Sequence, residues 1–407
     1  MSGEILFLAH RLPFPPDRGD KIRSHHILKA LAQIAPVHVG CLAETDADVA
    51  NEGMLSEVAT SWCMPRRTKS LPLAGIESLL RREPVSLSAF RSSALSHWVG
   101  EVLRQRDIRA IYVFSGQMGQ YVPASWKGRL VVDLVDVDSA KFEAYGVAGK
   151  GPRSWIDWRE GRLLSRVEAD LVSRADTTLL VSEAEAEFLR SRTPGGHDIR
   201  SLGNGIDCAA FDPAAVAPEP SLKSDGPHFV FTGQMDYAPN IAAVTRMAQQ
   251  IMSLVQQTLP SAQFHIVGRA PTKEVLALHG ANGTHVVGEV SDTRPWLAGA
   301  DAVVAPLTIA RGVQNKVLEA MAMARPVVVS PDAATGIDAR PDQHFIITQD
   351  DADFAAALLR LWQQKDQARS MGEEARRFVL NNMSWPATLA DLSNMLGIAP
   401  RTQRDAA

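Results

Sequence analysis

RGVQNKVLEAMAMARPVVVSP, residues 311–331, carries four structural signals in succession. Gly312 marks a loop, helical periodicity begins near Asn315, it stops near Ala324, and a buried strand opens at Pro326. The apolar run at 302–305 just upstream has the length of a strand. Strand, loop, helix and strand in that order make a βαβ unit, whose two strands run parallel in one sheet. The loop and helix start after the first strand form a ready anion site, because unpaired N–H groups and the helix dipole favour negative charge. Lys316 stands in the first turn, with Glu319 three residues on and on the same face. Taken alone, these two residues read equally well as an i,i+3 ion pair on a solvated helix.

The same alternation extends through the chain. Apolar runs at 5–9, 37–41, 110–114, 130–134 and 178–181 are separated by amphipathic stretches such as 24–34 and 164–174. A second series runs through 228–232, 263–267, 284–287, 302–305, 326–330 and 345–348. Between the two series lies DPAAVAPEPSLKSDGP, residues 212–227, whose Pro, Ala and small polar content reads as a linker. The expected fold class is therefore α/β, with two Rossmann-like parallel-sheet domains. The domains expected are 1–213, 214–385, and over 386–407 a closing helix that returns to the first domain, with a tail. Ligands of such sheets bind beyond the carboxyl ends of the strands, which places the expected site in a cleft between the domains.

Composition narrows the function classes. The 407 residues are 45% hydrophobic and 22% charged, the balance of a soluble globular protein. No stretch reaches the about 18 uncharged apolar residues of a membrane span. The opening MSGEILFLAHRLPFPPDRGD has an acid before its apolar run and lacks the basic start and cleavage site of a signal peptide, so a cytoplasmic location is expected. Cys41, Cys63 and Cys208 are widely spaced, without partners at metal-ligand spacing, and imply neither disulfides nor a metal site. The net charge of −4 and the absence of basic aromatic motifs argue against nucleic acid. No G-x-G-x-x-G or Walker A pattern is present, which argues against dinucleotide or P-loop chemistry.

The 311–331 segment also resembles the donor site of the retaining GT-B glycosyltransferases called glycosyl transferases group 1. Their pattern is Glu-x7-Glu, an Ala-Met-Ala-like turn and a Pro-Val-Val strand. Glu319, Ala320, Met321 and Ala322 match its second half, and the resemblance makes Glu319 a ligand of the nucleotide ribose. Where the first Glu should fall stands Arg311, suited to a phosphate or an acidic sugar, or to plain solvent. IRSLGNGIDCAAFDP, residues 199–213, resembles the Pro-Asn-Gly-Val-Asp element of these enzymes. Gly19, after the first strand, matches their glycine loop near the donor diphosphate and the acceptor, with Arg18, Lys21 and Arg23 beside it. For each of these basic residues an exposed helix face is the competing reading.

Two departures from the group pattern concern chemistry. Where the group often carries a His after a mid-domain strand, VVDLVDVDSAKF supplies Asp133, Asp136 and Asp138. Asp136 and Asp138 are the candidates to meet the acceptor hydroxyl, sharing a face if the strand persists. The alternative is a loop in which Asp138 or Ser139 caps the next helix. The group's Arg and Lys after the second domain's first strand are also missing: Gly233 is present, Gln234 follows, and Lys316 is expected to supply the positive charge. The donor set implied is Gly19, Gly233, Arg311, Gly312, Asn315, Lys316 and Glu319, with Val290 a further candidate for base contact. No cofactor or metal is implied.

The resemblance covers nearly the whole chain. PFPPDRGDKIRSHH, DVDS, VSEAEAEFL, TGQMDYAPN and GVQNKVLEAMA bring it nearest to sugar transferases associated with exosortase and PEP-CTERM exopolysaccharide systems. It implies a nucleoside-diphosphate sugar donor, a glycan or lipid-linked acceptor and retention of anomeric configuration. A nucleotide-sugar 2-epimerase and a non-catalytic nucleotide-sugar binder are the alternatives. The basic, apolar stretch at 66–91, with Trp155 and Trp158 beside Arg153, Arg159 and Arg162, suggests peripheral contact with the inner face of the plasma membrane, or equally an ordinary helix with solvated arginines.

Overall fold

The computed structural model describes residues 3–149, 151–223, 225–310 and 312–399. The backbone divides into two compact units, one comprising Met1–Asn204 with Thr388–Ala407 and the other Gly205–Ala387.

In the first unit, β1 (Glu4–Ala9), β2 (Val37–Gly40), β3 (Ser61–Cys63), β4 (Ile108–Phe114), β5 (Arg129–Val135), β6 (Thr177–Leu180) and β7 (Ile199–Ser201) form one sheet in the order β3-β2-β1-β4-β5-β6-β7. Every pairing is parallel. Central strands such as β1 are buried on both faces, which explains their continuous apolar runs. Strand order runs one way from β1 to β3 and the other way from β4 to β7, so the switch point lies between β1 and β4, where the loops after both strands diverge.

The second unit repeats the plan. β8 (His228–Thr232), β9 (Gln263–Val267), β10 (Thr284–Gly288), β11 (Ala302–Ala305), β12 (Val327–Val329) and β13 (Ile346–Ile347) are ordered β10-β9-β8-β11-β12-β13, all parallel. Its switch point falls between β8 and β11. The helix Asn315–Ala322 connects β11 to β12, as the 311–331 pattern requires, and buries Val317, Leu318, Ala320, Met321 and Ala322.

One expectation changes. Residues 212–227 are not a free linker: the Glu219 N–H donates to Pro295 O at 2.9 Å, Leu222 is buried, and Ile206 forms a β-bridge with Ser384. The segment is anchored at these points, and the division of the chain comes earlier, after Asn204. At the far end the long helix Lys365–Asn382 lies in the second unit and the short helix Leu392–Leu396 in the first, where Arg129 Nε donates to Met395 O at 2.8 Å.

Candidate functional site

At the carboxyl ends of β8 and β9 the backbone of the second unit closes on itself. The Gly233 N–H donates to Val267 O at 3.1 Å, and a Cβ on Gly268 would lie 1.6 Å from Gly233 O, so only glycine fits there. This approach opens a cavity of about 710 Å³, lined among others by Gly233, Asn240, Arg269, Asn315, Lys316 and Glu319. Gly233, Asn315, Lys316 and Glu319, singled out from the sequence, thus share one cavity wall, and Val290 lines it as well. Gly312 adopts a positive φ of 67° in the adjoining loop, its carbonyl accepting from Gln314 Nε2 at 3.1 Å. Arg311 lies outside the described residues.

Lys316 Nζ donates to Asn240 Oδ1 at 2.6 Å, and Asn240 Nδ2 donates to Gln234 O at 2.8 Å. The ammonium also sits 4.2 Å over the Phe231 ring, and a Cβ on Gly233 would approach it to 3.2 Å. A larger residue at position 233 would crowd both Lys316 and Asn240. Burial lowers the Lys316 ammonium to about 8, opposed by the charge of Glu319. Burial likewise raises the Glu319 carboxyl, opposed by Lys316. The N-cap residue Gln314 makes no side-chain cap, so the first turn of the helix offers its N–H groups and dipole to an anion.

Sequence reasoning missed Arg269. It follows Gly268 in the loop after β9, and its Nη2 donates to Gln234 Oε1 at 2.9 Å. A second cation therefore stands on the cavity wall, anchored to the residue that replaces the expected arginine. The signal was present in IVGRAP, as a basic residue directly after a strand-end glycine.

In the first unit the three basic residues near Gly19 part company. Gly19 opens the helix Gly19–Ile34, with Arg18 as N-cap residue, and Arg18 pairs with Asp20 at 3.2 Å. Lys21 and Arg23 are both buried and held by internal partners. Lys21 Nζ is buried against Asp48 Oδ1 at 2.9 Å. Arg23 is 1% exposed, with Nε and Nη2 on Asp133 at 3.0 and 3.2 Å and Nη1 on Leu202 O at 2.7 Å and Asn204 Oδ1 at 3.1 Å. Their expected place beside a phosphate is corrected: both are internal ion pairs, and the Asn204 turn is one of the anchors.

Asp133 is fully buried and also accepts from Tyr112 Oη at 3.0 Å. After it β5 breaks down. The register with β6 shifts between Asp133 and Val135, and Val135 adopts φ 70°, an outlying conformation for a β-branched residue. Asp136 and Asp138 therefore do not alternate along a strand. Asp138 begins the helix Asp138–Ala148, whose N-cap residue is Val137. Glu168 caps that helix, accepting from Ser139 N at 2.9 Å and Ser139 Oγ at 2.5 Å. Both acids are held above the ordinary carboxylate range. For Asp136 crowding by protein acts first, then the charges of Glu185 and Asp138; for Asp138 burial dominates, relieved by Lys141 and His10. His10, directly after β1, is a further residue the sequence reading passed over: Nε2 is 3.3 Å from Asp20 Oδ2 and the ring stacks on Phe114 at 5.8 Å. Among the described residues no group of three His, Cys, Asp or Glu side chains is placed to hold a metal ion.

Two parallel α/β units, each with its switch point beside its first strand, define the GT-B fold class. The structure of Anabaena HepE in complex with UDP and glucose superposes with a TM-score of 0.60 at 15% identity, covering 97% of this chain and 99% of that one. Sucrose-phosphate synthase from Thermosynechococcus elongatus does so with a TM-score of 0.58 at 16% identity, covering 97% and 98%. Residues 226–364, all within the second unit, match the model of the family Glycosyl transferases group 1. Among curated proteins, the phosphatidyl-myo-inositol mannosyltransferase of Propionibacterium freudenreichii subsp. shermanii is 26% identical over 231 residues, 55% of this chain and 56% of the relative. The chain spans little more than half the length of the curated relatives it matches.

Proposed function

We propose that the protein is a glycosyltransferase that moves a sugar from a nucleoside-diphosphate donor to a hydroxyl of a glycan or lipid-linked glycan, with retention. The observation that carries this reading is the cavity that joins Lys316, Glu319 and Arg269 at the switch point of the second unit. A diphosphate needs cations and N–H donors held in place beforehand, and Lys316, Arg269 and the uncapped start of the helix Asn315–Ala322 supply both. Glu319, one turn along the same helix, is the acceptor for ribose hydroxyls. The solved complexes of Anabaena HepE with UDP and glucose support a nucleotide-sugar ligand for this fold.

In the proposed reaction the bond from the anomeric carbon to the diphosphate oxygen breaks and a bond to the acceptor oxygen forms on the same face. The acceptor proton passes to the departing phosphate. The protein's contribution is positioning and charge stabilisation of the diphosphate. Asp136 and Asp138, with His10 after β1, are the acceptor-side groups of this reading. The resemblance of PFPPDRGDKIRSHH and DVDS to exopolysaccharide-associated transferases supports a role in surface polysaccharide assembly at the inner face of a membrane.

Thermal shifts with UDP, GDP, ADP, CDP and TDP on wild type and Glu319→Ala test the donor half. A bound nucleotide raises the midpoint by mass action. One diphosphate should stabilise wild type and fail on the variant; stabilisation by none would remove the donor site. Product analysis then separates transfer from epimerisation, since an epimerase releases a new nucleotide sugar without acceptor.

A further inference from the structure

One surface of the first unit is built inside out. The helix Leu71–Arg81 buries only the small residues Ala74 and Ser78, and turns Leu71, Leu73, Ile76, Leu79 and Leu80 to solvent, Leu80 at 81% exposure. The helix Pro152–Arg174 adds Trp155 at 57% exposure, Ile156 and Trp158, and the end of Asp138–Ala148 adds Tyr145 and Val147. These belong to one patch. Arg159 donates to Ser78 Oγ at 2.9 Å and to Ser78 O at 3.0 Å, and Leu79, Trp155 and Trp158 line a common shallow cavity. Gly146 packs so closely that a Cβ would lie 2.9 Å from Trp158 N. A contiguous apolar patch of this kind marks an interaction surface.

Charge identifies what covers it. Arg82, Arg159, Arg162 and Arg166 line the cavity of this patch, in a chain whose net charge is −4. Of the nearby acids, Glu160 is buried and accepts from Val85 N, Ser86 N and Ser86 Oγ, Glu77 is engaged by Lys69 and Arg81, and the half-buried Asp157 is the one acid between the patch residues Ile156 and Trp158. The basic stretch at 66–91 contributes less than its sequence suggests, because Arg66, Arg67, Lys69 and Arg91 are paired with Asp46, Glu44, Glu77 and Glu83. Arg162 lies 4.7 Å over the Trp158 ring, an aromatic and cationic pairing suited to an interface of oil and charge. A second copy of the chain would oppose like arginines face to face, which disfavours a two-fold dimer through this patch.

We propose that this face seats the protein on an anionic bilayer, Leu71, Leu73, Leu80 and Trp155 entering the boundary between headgroups and acyl chains and the arginines meeting lipid phosphates. The inference rests on the membrane-side reading above and is independent of the donor cavity. The test is co-sedimentation of the full chain with phosphatidylcholine vesicles, with and without phosphatidylglycerol, at low and high salt. Wild type should pellet with the anionic vesicles at low salt and release at high salt. Leu80→Gln with Trp155→Gln, and separately Arg82→Gln with Arg162→Gln, should each weaken binding about tenfold or more. Wild type remaining in the supernatant, pelleting that both pairs leave unchanged, or a concentration-dependent dimer abolished by the same pairs would overturn the proposal. Nucleotide thermal shifts on the same proteins report folding and the donor site: an intact shift without pelleting removes the bilayer alone, and pelleting without a shift removes the donor reading alone.

Discussion

The Lys316 ammonium and the Asn240 side-chain oxygen lie 2.6 Å apart, and Asn240 is itself fixed by its bond to the Gln234 carbonyl. A long flexible cation is thereby held in one position before any ligand arrives. Lys316→Met should remove a charged hydrogen bond worth roughly 1.5–3 kcal/mol, a ten- to hundredfold loss in nucleoside-diphosphate affinity. Asn240→Ala should give a smaller loss through disorder of the same ammonium. Calorimetric titration reads both, and an unchanged affinity in Lys316→Met would remove the lysine from the site.

The pH dependence follows from the same burial. With its pKa lowered to about 8, Lys316 is protonated below that value and loses its charge above it. Affinity for the diphosphate should therefore be level through about pH 7 and decline as pH passes 8, whereas an arginine, charged throughout, should hold the plateau. Titrations of wild type and Lys316→Arg across this range check the point; parallel declines would assign the effect to another group.

The donor wall was legible because Lys316 and Glu319 sit on one helix whose start and stop are written in the sequence. Arg269 was not, since its place beside Gln234 depends on the close passage of Gly268 against Gly233, a tertiary contact. The edge strands Ser61–Cys63 and Ile199–Ser201 are too short to show a period. Arg23 misled for a plainer reason. Helical spacing gives its position but not its cover, and Asp133 lies 110 residues away in sequence.

That buried pair makes its own prediction. Arg23→Met leaves Asp133 as an uncompensated internal charge, a change that costs about 3–5 kcal/mol. Thermal unfolding should show a large drop for Arg23→Met, while the nucleotide shift persists in whatever protein remains folded. A normal midpoint combined with lost nucleotide binding would restore Arg23 to the phosphate site.

Acid stability should turn on His265. Its Nε2 lies 3.0 Å from His228 Nδ1, its ring stacks on His285 at 5.2 Å, and burial, followed by the charges of His228 and His285, lowers its pKa from 6.5 to about 3. The fold thus holds this ring neutral while the unfolded chain binds a proton below 6.5. The contribution is complete above 6.5 and is lost as pH falls toward 3, at up to about 1.4 kcal/mol per pH unit. Denaturant unfolding at stepped pH should show a shallower acid decline for His265→Gln than for wild type; identical slopes would exclude the histidine.

On the acceptor side, Asp138 combines a raised carboxyl pKa with a fixed position at the start of its helix, because Glu168 caps that helix in its place. A carboxylate needed only as a cap could be replaced by asparagine at little cost. One that orients the acceptor hydroxyl toward the departing phosphate could not: misplacing a reacting group costs about 10²-fold in rate. Asp138→Asn should therefore lower kcat at least tenfold with an unchanged nucleotide thermal shift. Donor hydrolysis without acceptor, followed by transfer to a lipid-linked glycan, separates the two roles. Equal losses in both reactions would place Asp138 on the donor, and no loss in either would leave it to the helix alone.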